Sequence, residues 1–210
     1  MLENEEVVEN FKKSLTTTIR SIGKKDSIEV NFVKDSSSIE GQKINLVEPN
    51  LTSIIKNLNY IRAEADSIAL EFRFHKKKIH EQYYSNNETS NEIFNAIEQS
   101  RIQAQGSRLF KGIKYNISQK HNFDLNQKEK IEDKIDNKEI VKAFKYVSYS
   151  ELTNEEIGGK YNNYKKIIQK KLGKKYNIFF NNLRRNISNQ KNFAEQLQNF
   201  LKELGFFESN

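Results

Sequence analysis

The stretch LTSIIKNLNYIRAEADSIALEFRFHKKKIHEQY, residues 51–83, decides the fold, because its apolar residues return every three or four positions. That period places them on one stripe of an amphipathic α-helix. Pro49 precedes the stretch, and its fixed φ suits a helix start at Asn50 or Thr52. The sequence therefore predicts one long helix that ends near Ser85. Its stripe consists of Leu51, Ile54, Ile55, Leu58, Ile61, Ala65, Ile68, Phe72, Ile79 and Tyr83.

Upstream of this helix the periodicity changes from helical to alternating. Residues 6–22 carry helical spacing and end at Gly23. Residues 28–32 and 43–47 alternate with a period of two, and a Ser-rich segment, residues 34–42, separates them. We interpret these two runs as a two-stranded hairpin with a long loop, which should pack on a helix because two strands alone are marginally stable.

Downstream, helical spacing predicts a third helix over residues 90–118 and further helices over residues 160–172, 175–185 and 189–204. Gly158-Gly159 is the clearest internal break. The fold class is therefore mainly α, a bundle-like helical domain with a small β-hairpin near the N-terminus. We expect residues 1–120 to form one helical domain that contains the hairpin, residues 27–47. Residues 121–210 would be a helical extension that packs on it.

The composition excludes several kinds of site and of protein. The chain has 210 residues and no cysteine, so disulfides and thiolate metal sites are excluded. It is lean in apolar residues, but 14 Phe and 9 Tyr can build a core. It has no apolar run of membrane-spanning length, and its first residues are acidic, unlike a signal peptide. We therefore expect a cytoplasmic protein. The net charge of +7 favours acidic partners.

Three segments together resemble a known family. They are SIEVNFVKDSSSIEGQKINL at residues 27–46, RAEADSIAL at residues 62–70 with Arg73, His75 and His80 after it, and IFNAIEQSRIQAQGSR at residues 93–108. The resemblance is to the N-terminal region of the CobT-type subunit of aerobic, ATP-dependent cobaltochelatase. The third segment is the most specific, and the resemblance runs from Phe11 to about Asn116.

This resemblance implies that the chain is a subunit of a complex that inserts cobalt into hydrogenobyrinic acid a,c-diamide during cobalamin biosynthesis. A CobS-type AAA+ ATPase would supply the energy, and a CobN-type subunit would hold the corrin. ATP, magnesium and cobalt are expected in the whole hetero-oligomer, and no cofactor is expected in this chain. The family's von Willebrand A-like module has an Asp-x-Ser-x-Ser motif, which is absent here, so we expect this chain to lack that module.

The residues themselves offer little catalytic chemistry. No Gly-x-x-x-x-Gly-Lys-Ser/Thr string is present, and such a string is needed to cradle ATP phosphates. We therefore expect no catalysis by this chain alone. An adaptor of an AAA+ ATPase that acts on another substrate is one alternative, and a nucleic-acid-binding helical protein is a less favoured one.

Histidine spacing argues against a joint metal site. On a continuous helix, five residues turn the chain by about 500°, which leaves the side chains of His75 and His80 about 140° apart. Lys76, Lys77 and Lys78 between them would also repel a cation. We assign no metal ligands on this basis, and we expect His121 to lie in a polar loop.

Two polar lines follow from helical spacing. Arg62, Asp66 and Arg73 align on the long helix, and Glu98, Arg101, Gln105 and Arg108 align on the next helix. If the two helices pack antiparallel, these residues could form one ion-pair network that fixes helix packing. The functional alternative is that they form a docking surface for the ATPase. His75 and His80 belong to the same candidate group, which we expect to be structural or partner-binding, with Arg108 the most exposed.

A basic tract occupies residues 158–194, which contain no Asp or Glu. Aromatic residues are interleaved with its lysines, a pattern that can follow a nucleic-acid strand. A solvated helix face over a core is the simpler interpretation, and attraction to an acidic partner is a third. The candidate residues are Lys165, Lys166, Lys170, Lys171, Lys174 and Lys175.

Overall fold

The computed structural model describes residues 2–126 and 136–206. In these residues, the segments with helical periodicity form nine α-helices. The mainly helical class with a small β element near the N-terminus is confirmed. The elements are α1 (Leu2–Gly23), β1 (Glu29–Val33), β2 (Ser38–Glu40), β3 (Lys43–Val47), α2 (Leu51–Phe74), α3 (Lys77–His80), α4 (Glu88–Leu109), α5 (Lys111–Asn126), α6 (Asn137–Thr153), α7 (Tyr161–Leu172), α8 (Tyr176–Arg185) and α9 (Gln190–Glu203).

The predicted pairing of the strands is wrong. β3 lies in the centre of a three-stranded sheet of order β1-β3-β2. β2 forms the antiparallel hairpin with β3 through a tight turn at Gly41, whose φ of +63° suits glycine. β1 therefore lies on the other edge of β3 and runs parallel to it, with Glu29 opposite Lys43. The segment between β1 and β3, which we expected to be a loop, supplies the hairpin partner.

The long helix predicted over residues 50–84 is also interrupted. α2 ends at Phe74, and the extended backbone of His75 and Lys76 separates it from α3. A break of this kind frees backbone groups that a helix would pair. Gln190 of α9 replaces the lost helical partner of the Lys76 amide, which donates to its Oε1 at 2.7 Å. Its Nε2 also donates at 3.2 Å to the Lys76 carbonyl, which accepts from the amides of Ile79 and His80 as well. This partner is 114 residues away, so the local sequence gives no sign of the break.

The third predicted helix is likewise divided, because Phe110 has an extended conformation between α4 and α5. The predicted helices over residues 160–172, 175–185 and 189–204 correspond closely to α7, α8 and α9 and are confirmed. No helix among residues 2–126 and 136–206 is both long enough and apolar enough to cross a bilayer.

Two hydrophobic cores share α2 as a common wall. The smaller core lies between α1, the sheet and one face of α2, where Ala65 and Ala69 are buried. The larger core surrounds α4 and includes α5 to α9, and α2 contributes Ala63 and Leu70 to it. α5 crosses the predicted boundary at residue 120, so the division into residues 1–120 and 121–210 stays a prediction about folding units. Residues 127–135 and 207–210 of the second part lie outside the described residues.

Candidate functional site

A cleft of about 730 Å³ opens where α2 ends, beside α3 and the middle of α4. Lys25 and the β2–β3 hairpin, through Ile39 and Gly41, contribute to its lining. The polar and ionisable side chains that line the cleft are Lys25, Glu71, His75, Lys77, His80, Glu81, Tyr84, Asn95, Glu98 and Gln99.

His75 and His80 lie together in this cleft, contrary to the separation predicted for a continuous helix. Their ring centroids are 4.8 Å apart in an edge-to-face arrangement. The reason is the break after α2: His75 lies in the extended connection and His80 lies in α3, so helical geometry no longer relates them. The intervening Lys76, Lys77 and Lys78 are exposed.

Glu98 of α4 completes a cluster with the two histidines. Its Oε1 lies 2.9 Å from Nδ1 of His75. Each of His75, His80 and Glu98 offers a possible ligand atom, and these atoms lie within 4.8 Å of one another. In the described part of the chain, this is the group of three or more His, Cys, Asp and Glu residues that could hold a metal ion.

Arg101 holds the Glu98 carboxylate in place. Its Nε donates to Oε2 and its Nη2 donates to Oε1, both at 2.7 Å, and both side chains are almost completely buried. Burial alone would raise the pKa of Glu98, but the hydrogen bonds from Arg101 and His75 outweigh it and lower the pKa below its ordinary value. Glu98 is therefore an ionised carboxylate at neutral pH.

His80 is buried, with 5% of its surface exposed, between aromatic rings of Tyr84 and Phe94. Its Nε2 lies 2.7 Å from Oδ1 of Asn95, whereas its Nδ1 is buried and has no hydrogen-bond partner. Burial lowers the pKa of His80, so the ring is neutral at neutral pH. Nε2–H donates to Asn95 in this neutral form, which leaves a lone pair on Nδ1.

The predicted single ion-pair network does not form. Asp66 is buried and accepts a hydrogen bond from Asn116 at 2.8 Å, and burial raises its pKa. Arg73 donates to the Ile22 carbonyl at 3.0 Å. Arg62 is exposed, and so is Arg108, as predicted. The residues of the two polar lines therefore contact different neighbours, and their role in partner binding stays a prediction.

The basic tract separates into a buried aromatic side and an exposed lysine side. Its aromatic residues all belong to the larger core: Tyr161, Tyr164, Tyr176, Phe179, Phe180 and Phe193. They are therefore not available as stacking platforms for bases, which favours the simpler interpretation of a solvated helix face. Lys165 pairs with Glu151 at 3.2 Å and Lys175 pairs with Glu203 at 2.8 Å. Lys166, Lys170, Lys171 and Lys174 are exposed.

Sequence reasoning missed three residues of this site or of the core. His121 is completely buried on α5, not in a polar loop, and its Nε2 lies 3.0 Å from Oε1 of Gln103. Asn95 lies three residues before Glu98 on α4, and that spacing could have indicated a shared helix face. Gln190, whose Nε2 is 3.2 Å from Nδ1 of His75, carries no local sign of its role.

Comparison with known proteins extends the resemblance to nearly the whole chain. A family model described as "Cobalamin biosynthesis protein CobT" matches residues 5–210, which includes the basic tract and α9 as well as the three segments that first indicated the family. No solved structure matches the chain. A match of this extent confirms the family inferred from the sequence. The chain belongs to the CobT family of cobalamin biosynthesis proteins.

Proposed function

We propose that this chain is a non-ATPase assembly subunit of ATP-dependent cobaltochelatase, the ligase-type complex that inserts cobalt into hydrogenobyrinic acid a,c-diamide. The observation that carries this proposal is the family match over residues 5–210. The absence of a phosphate-binding Gly-x-x-x-x-Gly-Lys-Ser/Thr string from the sequence supports a role without ATP hydrolysis by this chain.

In the proposed complex the chemistry is divided among subunits. A CobS-type AAA+ ATPase binds ATP and magnesium, a CobN-type subunit holds the corrin, and cobalt is the substrate ion. This chain connects them as one part of a cytoplasmic hetero-oligomer. The family membership supports a place in such a complex, and the partners are part of the proposal.

The surface proposed for docking is the lysine face, defined as Lys166, Lys170, Lys171 and Lys174. These lysines are exposed on α7 and the turn after it. Residues 158–194 contain no acidic residue, so any acidic side chain that pairs with these lysines lies on another element. Glu151 of α6, which pairs with Lys165, is an example. A surface of one sign favours an acidic partner and accelerates its association by long-range attraction.

Co-purification with the AAA+ ATPase tests the proposal, and two matched triple variants test the surface. Lys166, Lys170 and Lys174 are changed to Glu in one, and the exposed Lys13, Lys56 and Lys138 in the other. Each Lys→Glu change removes two charge units, so both triples lower the net charge from +7 to +1. We expect the first triple to weaken binding and the second to leave it near wild type.

Each outcome bears on a different part of the proposal. No binding of the ATPase by the wild-type chain overturns the assembly role. Equal loss in the two triples overturns the lysine face and leaves the assembly role standing. Binding without cobalt insertion by the complex indicates an adaptor that acts on another substrate. Salt-dependent binding of DNA or RNA, without ATPase binding, indicates the nucleic-acid alternative.

A further inference from the structure

The cluster of His75, His80 and Glu98 is more than a packed polar group. We infer that these three side chains bind a divalent transition-metal ion of the zinc or cobalt type. This inference rests on side-chain geometry and does not depend on the chelatase assignment.

The donor set is the first argument. Two imidazole nitrogens and one carboxylate oxygen are a common set of three protein ligands around a four-coordinate ion, with a fourth position for water or a substrate atom. Imidazole nitrogen suits zinc, cobalt and nickel, whereas Mg²⁺ and Ca²⁺ prefer oxygen ligands. The cluster offers a single carboxylate, from Glu98, and that carboxylate already faces the Arg101 cation. Selectivity for transition metals over Mg²⁺ follows.

The distances are the second argument. Two ligand atoms about 2.1 Å from a tetrahedral ion lie about 3.4 Å apart. Nδ1 of His75 and Oε1 of Glu98 are 2.9 Å apart, so an ion that replaces the proton between them needs only a small separation. One nitrogen of each histidine and one oxygen of Glu98 lie within 4.8 Å of one another, so the widest pair of these atoms closes by at most roughly 1.4 Å. The two-residue connection that carries His75 is where this adjustment would occur.

The third argument is the unpartnered nitrogen of His80. This ring is 5% exposed, and its Nδ1 has no hydrogen-bond partner. Ligating histidines commonly donate their other N–H to an oxygen acceptor, which fixes the tautomer and the ring orientation. Asn95 supplies such an acceptor at 2.7 Å from Nε2. The arrangement leaves the buried Nδ1 lone pair available for a metal ion, which would satisfy it.

Neighbouring side chains orient two of the three ligands, Glu98 and His80, and a third lies close to His75. Arg101 fixes both oxygens of Glu98, Asn95 fixes His80, and the Gln190 amide lies 3.2 Å from Nδ1 of His75. Nδ1 of His75 cannot donate to Glu98 and accept from Gln190 at once, because one neutral nitrogen has either a proton or a lone pair. Metal binding by this nitrogen would remove the conflict, because the ion would take the lone pair and the Gln190 amide would keep its other acceptor, the Lys76 carbonyl.

Titration of the full chain with metal ions tests the site directly. The protein is stripped of metal with a chelator, its affinity tag is removed, and Co²⁺ is added while visible absorption and heat of binding are recorded. We expect one Co²⁺ per chain with the intense visible bands of a four-coordinate site, displacement by Zn²⁺, and no displacement by Mg²⁺. Failure of the wild-type chain to bind either Co²⁺ or Zn²⁺ overturns the inference.

Substitutions in the cluster test whether the ion binds there. His75→Gln and His80→Gln should each lower Co²⁺ affinity by at least about 10- to 100-fold, the loss that even an orienting residue can cause. Glu81→Gln, which removes another carboxylate lining the cleft, and His121→Gln, which removes a distant buried histidine, should leave affinity unchanged. Undiminished affinity in both His75→Gln and His80→Gln overturns the site.

A milder variant covers the case in which the histidine variants unfold, which circular dichroism would reveal. Asn95 is exposed, so Asn95→Ala should fold, yet it removes the acceptor that orients His80. We expect about a 10-fold loss of Co²⁺ affinity together with altered visible bands. Wild-type affinity and an unchanged spectrum in this variant would contradict the role given to His80.

Discussion

At the scale of single residues, Arg101 connects parts of the chain that are far apart in sequence. Its side chain is 1% exposed, and besides Glu98 it donates to the carbonyl of Phe74 at 2.8 Å and to that of Ile187 at 3.1 Å. It therefore joins the end of α2 and the segment before α9 to the middle of α4. A buried guanidinium that satisfies backbone carbonyls in this way leaves several unpaired groups when it is removed.

Arg101→Met should lower the free energy of unfolding by about 3–5 kcal/mol, because it leaves the buried Glu98 charge without its main partner. Urea unfolding followed by circular dichroism measures the loss. Arg185→Met is the matched control, since Arg185 is exposed on α8, and it should change stability by less than about 0.5 kcal/mol. Equal effects in the two variants would show that the buried pair contributes little.

The pH dependence of stability should reveal His121. Burial, reinforced by the charges of Lys145 and Lys120, lowers the pKa of His121 well below its ordinary value. The folded state therefore binds fewer protons than the unfolded state, so stability is full above the unfolded pKa near 6.5 and falls as the pH drops below it. The slope per group is at most about 1.4 kcal/mol per pH unit.

Between pH 7 and pH 5 we expect the wild-type chain to lose about 1–2 kcal/mol and His121→Gln to lose clearly less. Denaturant unfolding at several pH values measures both slopes. His80 shifts in the same direction, so part of the slope should remain in the variant. An identical slope in the two proteins would mean that His121 is protonated in the folded state.

At the scale of elements, the sequence predicts α7, α8 and α9 well and the neighbourhood of the cleft poorly. Local periodicity sufficed for α7 to α9 because each one buries a continuous apolar stripe. The break after α2 depends on Gln190, and the parallel position of β1 follows from the hairpin formed by β2. Contacts with residues far away in the sequence cannot be predicted from the local spacing of apolar residues.

Close packing of α2 on α4 depends on Gly106. A Cβ added there would overlap the Leu70 side chain, which is itself fully buried. Gly106→Ala should therefore lower the free energy of unfolding by about 1–3 kcal/mol despite the higher helix propensity of alanine. Thermal unfolding provides the measurement.

Gly112→Ala on α5 is the control, because no atom lies within 4 Å of an added Cβ at that position. This change should leave stability unchanged or raise it by up to about 1 kcal/mol. Stabilisation by both substitutions would show that Leu70 moves aside without cost and that the contact between α2 and α4 is loose.

At the scale of the whole molecule, α2 links the two cores, since it contributes to both from opposite faces. We therefore expect a single cooperative unfolding transition, in which far-ultraviolet circular dichroism and tyrosine absorbance coincide. Ile28→Ala in the smaller core and Phe179→Ala in the larger core should each shift the same transition, by about 2–5 kcal/mol. A plateau between two transitions in Ile28→Ala would show that the cores unfold separately.

The family was more predictable at this scale than the site was. Three segments indicated the CobT family from sequence, and the family match over residues 5–210 confirms it. The cluster of His75, His80 and Glu98 was not predictable, because the separation expected for His75 and His80 assumed a continuous helix. The charge of the basic tract was visible in the sequence, but the burial of its aromatic residues required the fold.

We propose that this chain is a required part of a cobalt-inserting complex. Reconstituted insertion of cobalt into hydrogenobyrinic acid a,c-diamide tests it most directly, with the AAA+ ATPase, the corrin-binding subunit, ATP and Co²⁺ held constant and this chain, in its full native form, added or omitted. The change in corrin absorption should appear when the chain is present and be absent without it. Insertion at the same rate in its absence would contradict the assignment.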